Sequence, residues 1–284
     1  MCDYGRLTLG GDNMKIGELL TEAKDALKGN WTTAVLSNIV MGILQFAIAF
    51  VAFMIVGGVV FMALFTIGSH NSIGPAIIGS LFLYFIVIFS IAMVLVLFQT
   101  GYQYAVLDAV DTKKMGIMDF LKIFKQQPLK VLGLLFVSNI LIFLWTLLFI
   151  IPGIIKTFSY SQAILILKEN PEMGIMDCIT RSRQMMDGYK FTLFGATFIV
   201  SFIAYLIPSI MMQSGINYNY SYNYYSYYNE PQFGMMYYIG TLLMIVISIF
   251  LVPYLASLYA VFYRRLTGSK EIINEENNRE NELI

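Results

Sequence analysis

The chain has 284 residues, of which 58% are hydrophobic and only 13% are charged, whereas a typical soluble domain has about 25% charged residues. This composition excludes an ordinary soluble protein and predicts that lipid surrounds much of the chain. The 18 basic and 18 acidic residues cancel. Two cysteines and one histidine are too few for a disulfide framework or a standard metal site, so we expect no cofactor.

Residues 1–13 are predicted to be a non-native extension. Gly10-Gly11-Asp12 stands just before Met14, and this is what a translated ribosome-binding site of the GGAGG type would spell. We therefore expect translation of the native protein to start at Met14. Peptides from residues 2–13, found by mass spectrometry of the native protein, would contradict this expectation.

Long apolar stretches predict six transmembrane helices. They cover residues 33–61, 75–106, 131–151, 154–167, 191–212 and 236–262. Pro152-Gly153 is predicted to break the chain between the third and fourth stretches, since proline cannot continue a helical hydrogen-bond ladder and glycine tolerates a turn. The fourth stretch is only about 21 Å long as a helix, which is short for a crossing of about 30 Å.

The distribution of basic residues predicts that this short stretch nevertheless crosses the membrane. With six crossings, 17 of the 18 basic residues, all but Lys156, fall on one face. By the positive-inside rule that face is cytoplasmic, and both termini lie there. We expect the plasma membrane of a bacterium as the location.

Three charged segments, residues 15–28, 108–130 and 170–188, are predicted to form amphipathic helices on the cytoplasmic surface. Met-Gly-Ile-Met-Asp at residues 115–119 recurs at residues 173–177, which favours an internal duplication. Five matching residues would also arise from membrane-surface amphipathicity alone. The six spans and these helices make residues 14–266 one all-α, polytopic membrane domain, and residues 267–284 are predicted to be a disordered cytoplasmic tail.

Several motifs resemble those of a known family. They are Lys28-Gly29-Asn30-Trp31, Ile151-Pro152-Gly153-Ile154-Ile155-Lys156 with Ser159-Tyr160-Ser161, Asn170-Pro171-Glu172, Arg181-Ser182-Arg183 through to Lys190, and Pro253-Tyr254 through to Arg264. Over residues 14–266 the chain resembles the bacterial integral membrane proteins of domain-of-unknown-function family 975. It is more distantly similar to the membrane domain of some glycerophosphodiester phosphodiesterases. The resemblance implies a six-span bundle and carries over no catalytic residue.

Lys156 is the first candidate site residue, because an ionisable side chain near membrane depth is a functional candidate by default. It follows the predicted break at Pro152-Gly153, and Ser159 and Gln162 come on the next turns. This group could hold a phosphate head group or an acidic substrate. Alternatively, Lys156 only extends its ammonium group to the outer interface.

Arg181 and Arg183, with Lys190 nearby, are the second candidate site, because basic residues on a surface helix attract anionic lipid head groups. Alternatively, they only set the topology, with Arg181 paired to Asp177 one turn away. Five polar residues within the spans could line a pathway or make hydrogen bonds between helices. They are Asn38, Gln45, Gln99, Gln103 and Asn139.

Two further features carry weaker expectations. Seven tyrosines lie between Tyr218 and Tyr228, and this segment is interpreted as a low-complexity loop. His70 is interpreted as a loop residue without a role.

These patterns favour a non-enzymatic membrane protein that interacts with membrane lipids, anionic lipids among them, or with an unknown protein partner. A small-solute transporter with a pathway near Lys156 is the alternative. A water-filled cavity reaching Lys156 would favour the transporter. We do not expect nucleic-acid binding, because the basic residues are spread along one membrane face and balanced by acidic ones.

Overall fold

The computed structural model describes residues 14–67, 73–223 and 226–282. His70 and the proposed extension at residues 1–13 lie outside them. In chain order the elements are α1 (Ile16–Ala26), α2 (Trp31–Ile67), α3 (Ile73–Thr112), a 3₁₀ helix (Asp119–Lys125), α4 (Pro128–Leu148), α5 (Ile150–Tyr160), α6 (Ala163–Glu169), α7 (Ile175–Met185), α8 (Lys190–Ser214), β1 (Ile216–Asn223), β2 (Ser226–Phe233) and α9 (Met235–Glu282).

Six helical stretches of the described residues are long and apolar enough to cross a membrane. They are Trp31–Gly58, Phe85–Thr112, Pro128–Leu148, Ile150–Glu169, Lys190–Ser214 and Met235–Gly268. This confirms the all-α, polytopic fold class. Long aliphatic and aromatic runs form these helices because, in lipid, a helix satisfies every backbone hydrogen bond within its own segment.

The helix break before the fourth stretch lies at Phe149, and not at Pro152-Gly153 as predicted. Phe149 is extended (φ −156°, ψ 142°), so that α4 ends at Leu148 and α5 begins at Ile150. In an unbroken helix, Pro152 would clash with the carbonyl group of Leu148, four residues earlier. With the break at Phe149, Pro152 falls in the first turn of α5, where a backbone N–H has no helical partner to lose.

Gly153 allows a close helix contact and does not form a turn. A Cβ atom at this position would lie 2.1 Å from Oγ1 and 2.9 Å from Cα of Thr146 in α4. Only glycine therefore lets α5 fold back against α4 at this distance.

The fourth stretch is longer than the sequence predicts. Helices α5 and α6 follow each other almost without interruption, and together they make a 20-residue stretch, Ile150–Glu169. The short junction between them lies at Ser161-Gln162. A straight helix of this length would measure about 30 Å, so length no longer argues against a crossing.

The tyrosine-rich segment forms a β-hairpin instead of an irregular loop. Strands β1 and β2 pair antiparallel, from Ile216 opposite Phe233 to Asn223 opposite Ser226. Tyrosine favours strands because its ring packs well on a pleated surface. This hairpin is the one sheet in the described part of the chain, and it connects α8 to α9.

The three charged segments each bury one face in the protein. In α1, Leu19 and Ala23 are fully buried, and Tyr254 and Ser257 of α9 donate hydrogen bonds to the carbonyl oxygens of Leu20 and Ala23. The second segment is a 3₁₀ helix and not an α-helix, with Phe120 packed on α3 at Gly101. Their position on a membrane surface stays a prediction.

The two Met-Gly-Ile-Met-Asp copies share a local arrangement and then differ. The carboxylate of Asp119 accepts a hydrogen bond from the N–H of Gly116 at 2.8 Å, and the carboxylate of Asp177 folds back over Gly174 in the same way. The first copy leads into a 3₁₀ helix and the second into α7. The duplication itself stays a prediction.

The structure continues α9 to Glu282, through most of the segment that the sequence predicts as a disordered tail. Residues 269–282 contain no proline or glycine that would end the helix. The other domain boundaries stay predictions.

Candidate functional site

The predicted group of Lys156, Ser159 and Gln162 is divided in the structure. The ammonium nitrogen of Lys156 lies 4.6 Å from the centroid of the Trp145 ring, a cation–π contact between α5 and α4. Ser159 and Gln162 are buried, and their backbone groups bond to Ser182 of α7. Lys156 therefore contacts the neighbouring helix α4, and it does not form one site with Ser159 and Gln162.

Ser182 of α7 joins the two parts of the fourth stretch. Its hydroxyl group donates to the carbonyl oxygen of Ser159 at 2.9 Å and accepts from the backbone N–H of Gln162 at 3.2 Å. All three residues are buried. The side-chain oxygen of Gln162 is also buried and has no hydrogen-bond partner among the described residues. Sequence reasoning missed Ser182 because it treated Arg181-Ser182-Arg183 as a basic surface motif.

A polar cavity of about 260 Å³ lies between α3, α4, the α5–α6 pair and α9. Its polar lining is Gln103, Ser138, Asn139, Thr157, Tyr160, Ser161 and Tyr259. Lys156 is not part of this lining. Gln103 and Asn139 were predicted as pathway residues, whereas Asn38 and Gln45 donate hydrogen bonds to the carbonyl oxygens of Ile249 and Leu95 on other helices.

A second cavity, the α5–α8 cleft, has apolar walls and one basic residue. It measures about 230 Å³ and is lined by Ile151, Ile154, Ile155 and Phe158 of α5 and by Lys190, Phe191 and Phe194 of α8. The rings of Phe158 and Phe194 meet edge to face, with centroids 5.5 Å apart. The ammonium group of Lys190 pairs with the exposed carboxylate of Asp187 at 3.1 Å.

Arg181 and Arg183 are both exposed on α7. The predicted ion pair between Asp177 and Arg181 is not among the ion pairs of the described residues, because the Asp177 carboxylate turns towards Gly174. Lys190 begins α8 just after α7 ends. The three candidate lipid contacts therefore lie on consecutive elements, and Lys190 alone among them lines the cleft.

One end of the bundle, here called the charged end, is held by ion pairs that sequence reasoning missed. Arg264 of α9 binds both carboxylate oxygens of Asp111, at 2.7 and 2.5 Å, and also pairs with Glu169. Lys168 donates to Asp108 at 2.6 Å. Arg265 pairs with Glu22 of α1. The network joins α1, α3, α6 and α9, so residues interpreted only as topology signals also fix the helices together.

Cys178 is buried in α7. Burial raises the pKa of its thiol above the ordinary value, which makes the reactive thiolate scarce at neutral pH. In the described ranges, no group of three or more histidine, cysteine, aspartate or glutamate residues could hold a metal ion.

Comparison with known proteins gives one match. Residues 147–270 match the family model described as "Protein of unknown function (DUF975)", which confirms the resemblance to this family. The matched region contains α5 to α8 and both candidate sites, the one around Lys156 and the one around Arg181, Arg183 and Lys190. The candidate pathway residues Gln103 and Asn139 lie before it. No curated protein and no solved structure matches the chain, and the similarity to glycerophosphodiester phosphodiesterases is not shown.

Proposed function

We propose that this chain, which matches the DUF975 family over residues 147–270, is a non-enzymatic membrane protein that binds an anionic lipid in the α5–α8 cleft. The observation that carries the proposal is the composition of this cleft. Six of its seven lining residues are isoleucine or phenylalanine, and the seventh is Lys190. No polar atom lines the cleft, so Lys190 contributes its hydrocarbon chain to the wall, and its ammonium group pairs with Asp187 beside the cleft. An apolar space with one cation beside it matches an amphiphile that has an acyl chain to insert and an anionic head group.

The two parts of such a ligand would contribute differently. An acyl chain lying along Phe158 and Phe194 gains little, because the surrounding lipid is as apolar as the cleft. Selectivity therefore depends on the head group at Lys190. A basic residue near anionic lipid contributes about 1 kcal/mol, and the phosphate or carboxylate would compete with Asp187 for the ammonium group.

The proposal includes an orientation. The charged end would face the cytoplasm of a bacterium, with both chain termini there, because the sequence predicts that 17 of the 18 basic residues lie on that face. Arg181 and Arg183 are exposed on α7, so they would add attraction to the same anionic leaflet.

Native mass spectrometry of the protein extracted with its lipids tests the proposal. We expect an anionic lipid to remain bound to the wild type and to be about fivefold depleted in Lys190→Gln, since fivefold corresponds to about 1 kcal/mol. Ile154→Trp fills the cleft with a larger side chain and leaves the charge of the protein unchanged, and it should also remove the lipid. The double variant Arg181→Ala/Arg183→Ala measures how much these two arginines of α7 contribute to lipid binding.

Lys156→Gln is the matched control, because Lys156 is a lysine of the same helical region that contacts Trp145 and does not line the cleft. It should keep the lipid. Equal lipid occupancy in the wild type, Lys190→Gln and Ile154→Trp would overturn the proposal. Loss of lipid with Lys156→Gln alone would place the contact on the opposite side of α5.

The polar cavity supports a second candidate function, the binding and passage of a small solute. Its seven polar side chains belong to helices that are otherwise apolar, and polar groups inside a membrane commonly mark a substrate site. A solute that is bound by the wild type, lost in Asn139→Leu and retained in Lys190→Gln would favour this function. Because Lys156 does not line the cavity, we no longer place the pathway at that residue.

A further inference from the structure

The tip of the hairpin formed by α4 and α5 is entirely apolar. No polar side chain occurs between Thr146 and Lys156. The five residues Leu147–Ile151 are between 64% and 73% exposed. A loop that emerges from a membrane into water normally carries polar residues, and a contiguous exposed apolar patch of this kind marks contact with lipid or a partner.

The backbone at the tip is suited to a water-free environment, in which unpaired N–H and C=O groups are costly. The break involves one residue, Phe149. The N–H of Phe149 bonds to the carbonyl oxygen of Trp145, and the N–H of Gly153 bonds to that of Phe149. Pro152 has no N–H to satisfy. The chain therefore reverses direction while leaving few backbone groups without partners.

The base of the hairpin lies at the charged end. At the start of α4, Lys130 donates a hydrogen bond to the carbonyl oxygen of Pro171. At the end of α6, Lys168 pairs with Asp108. Both arms therefore begin and end at the same end of the bundle, and a hairpin that crosses fully and one that turns back halfway give the same distribution of basic residues. Charge alone does not separate them.

Packing against α8 distinguishes a hairpin that crosses the membrane from one that turns back within it. The α5 residues from Ile151 to Phe158 line a cleft with Lys190, Phe191 and Phe194, which belong to the first five residues of α8. Helix α8 continues for 20 residues after Phe194, to Ser214, which is about 30 Å of helix. Ile151, the last residue of the tip, thus lies near the beginning of α8, whereas a tip at the far face would lie near the end of α8.

We propose that α4 and α5 form a re-entrant hairpin, whose tip Leu147–Ile151 contacts the acyl chains of the leaflet on the charged side and does not reach the opposite face. The chain then crosses the bilayer four times, through α2, α3, α8 and α9. The apolar hairpin lies between these four helices and the lipid of one leaflet. This inference does not depend on whether the α5–α8 cleft binds a lipid.

Cysteine labelling in sealed membrane vesicles of both orientations tests the inference. In a Cys2→Ser background, single cysteines replace Phe149 at the tip, Ser214 at the far end of α8 and Leu129 at the charged end. Cys178 stays in place, because burial keeps its thiol unreactive. A membrane-impermeant maleimide should label Ser214→Cys from one face and Leu129→Cys from the other.

For Phe149→Cys we expect no labelling from either face. After denaturation in SDS we expect two labels per chain, one on the introduced cysteine and one on Cys178, which is no longer buried. Ile150→Cys, at the neighbouring exposed position, should behave identically and guards against misfolding of a single variant. Labelling of either tip cysteine from the Ser214 face would show a complete crossing and overturn the inference. Labelling from the Leu129 face would place the tip in water and overturn it as well.

Discussion

The two ends of the α4–α6 hairpin are built from opposite interactions. At its base, Lys168 and Glu169 join the charged end through Asp108 and Arg264. At its tip, the residues around Phe149 are apolar and exposed, and the nearest charged contact is Lys156 on Trp145. The base is held by ion pairs, whereas the tip has only apolar contacts, made by Ile151 near the first turn of α8. This difference indicates that the bundle fixes the base and leaves the tip to the lipid.

The largest loss of stability should come from removing Arg264, whose guanidinium group joins Asp111 and Glu169 at the base. Arg264→Ala leaves Asp111 and Glu169 partly buried without their cation. Breaking a fully buried pair costs about 3–5 kcal/mol, and because roughly a third of these side chains is exposed, we expect on the order of 2 kcal/mol.

The measurement is thermal unfolding in detergent, where Arg264→Ala should lower Tm. Arg183→Ala is the control, since this exposed arginine lies outside the network. An unchanged Tm in Arg264→Ala would mean that the charged end does not hold the helices together.

A smaller effect is expected where the two arms approach each other. Gly153→Ala places a Cβ atom 2.1 Å from Thr146 Oγ1, so the arms must separate, at a cost of about 1–2 kcal/mol. Gly42→Ala in α2 meets nothing within 4 Å and should be neutral or stabilising, because alanine favours a helix. Thermal unfolding of both variants should therefore give shifts that differ in sign or in size. Equal shifts would contradict the close contact.

The smallest effect should follow from removing the Ser182 hydroxyl group. Ser182→Ala leaves the N–H of Gln162 and the carbonyl oxygen of Ser159 without this partner, at a cost of about 1 kcal/mol. We expect faster amide hydrogen exchange, confined to residues 159–165, as the sign of these lost hydrogen bonds. Ser209→Ala removes an exposed hydroxyl that bonds only within its own helix, and exchange should not change there.

Much of the fold was predictable because membrane helices are long and continuous. Apolar runs located the spans, and Pro152 indicated a break, since its ring forbids an unbroken helix. The break lies three residues earlier because the proline is tolerated in a first turn. The role of Gly153 was not predictable, since it depends on how close Thr146 of another helix lies.

The candidate sites were less predictable than the fold. Lys190 was named for its charge, but the apolar cleft beside it requires Ile154 and Phe158 from a distant part of the sequence. The partners of Arg264 lie about 95 and 153 residues away, and no local pattern pairs them. The charge distribution led to the prediction of a crossing at residues 154–167. A hairpin that returns within the bilayer, as proposed above, gives the same charge distribution, so this rule does not distinguish the two.

Distances between spin labels test the central claim most directly. One label at Phe149→Cys is paired with a second at Lys190→Cys or at Ser214→Cys, in protein reconstituted into lipid bilayers with Cys2 replaced by serine. We predict that the tip lies closer to residue 190 than to residue 214, since the tip packs beside the first turn of α8. A tip closer to residue 214 would contradict the account and establish a hairpin that spans the membrane.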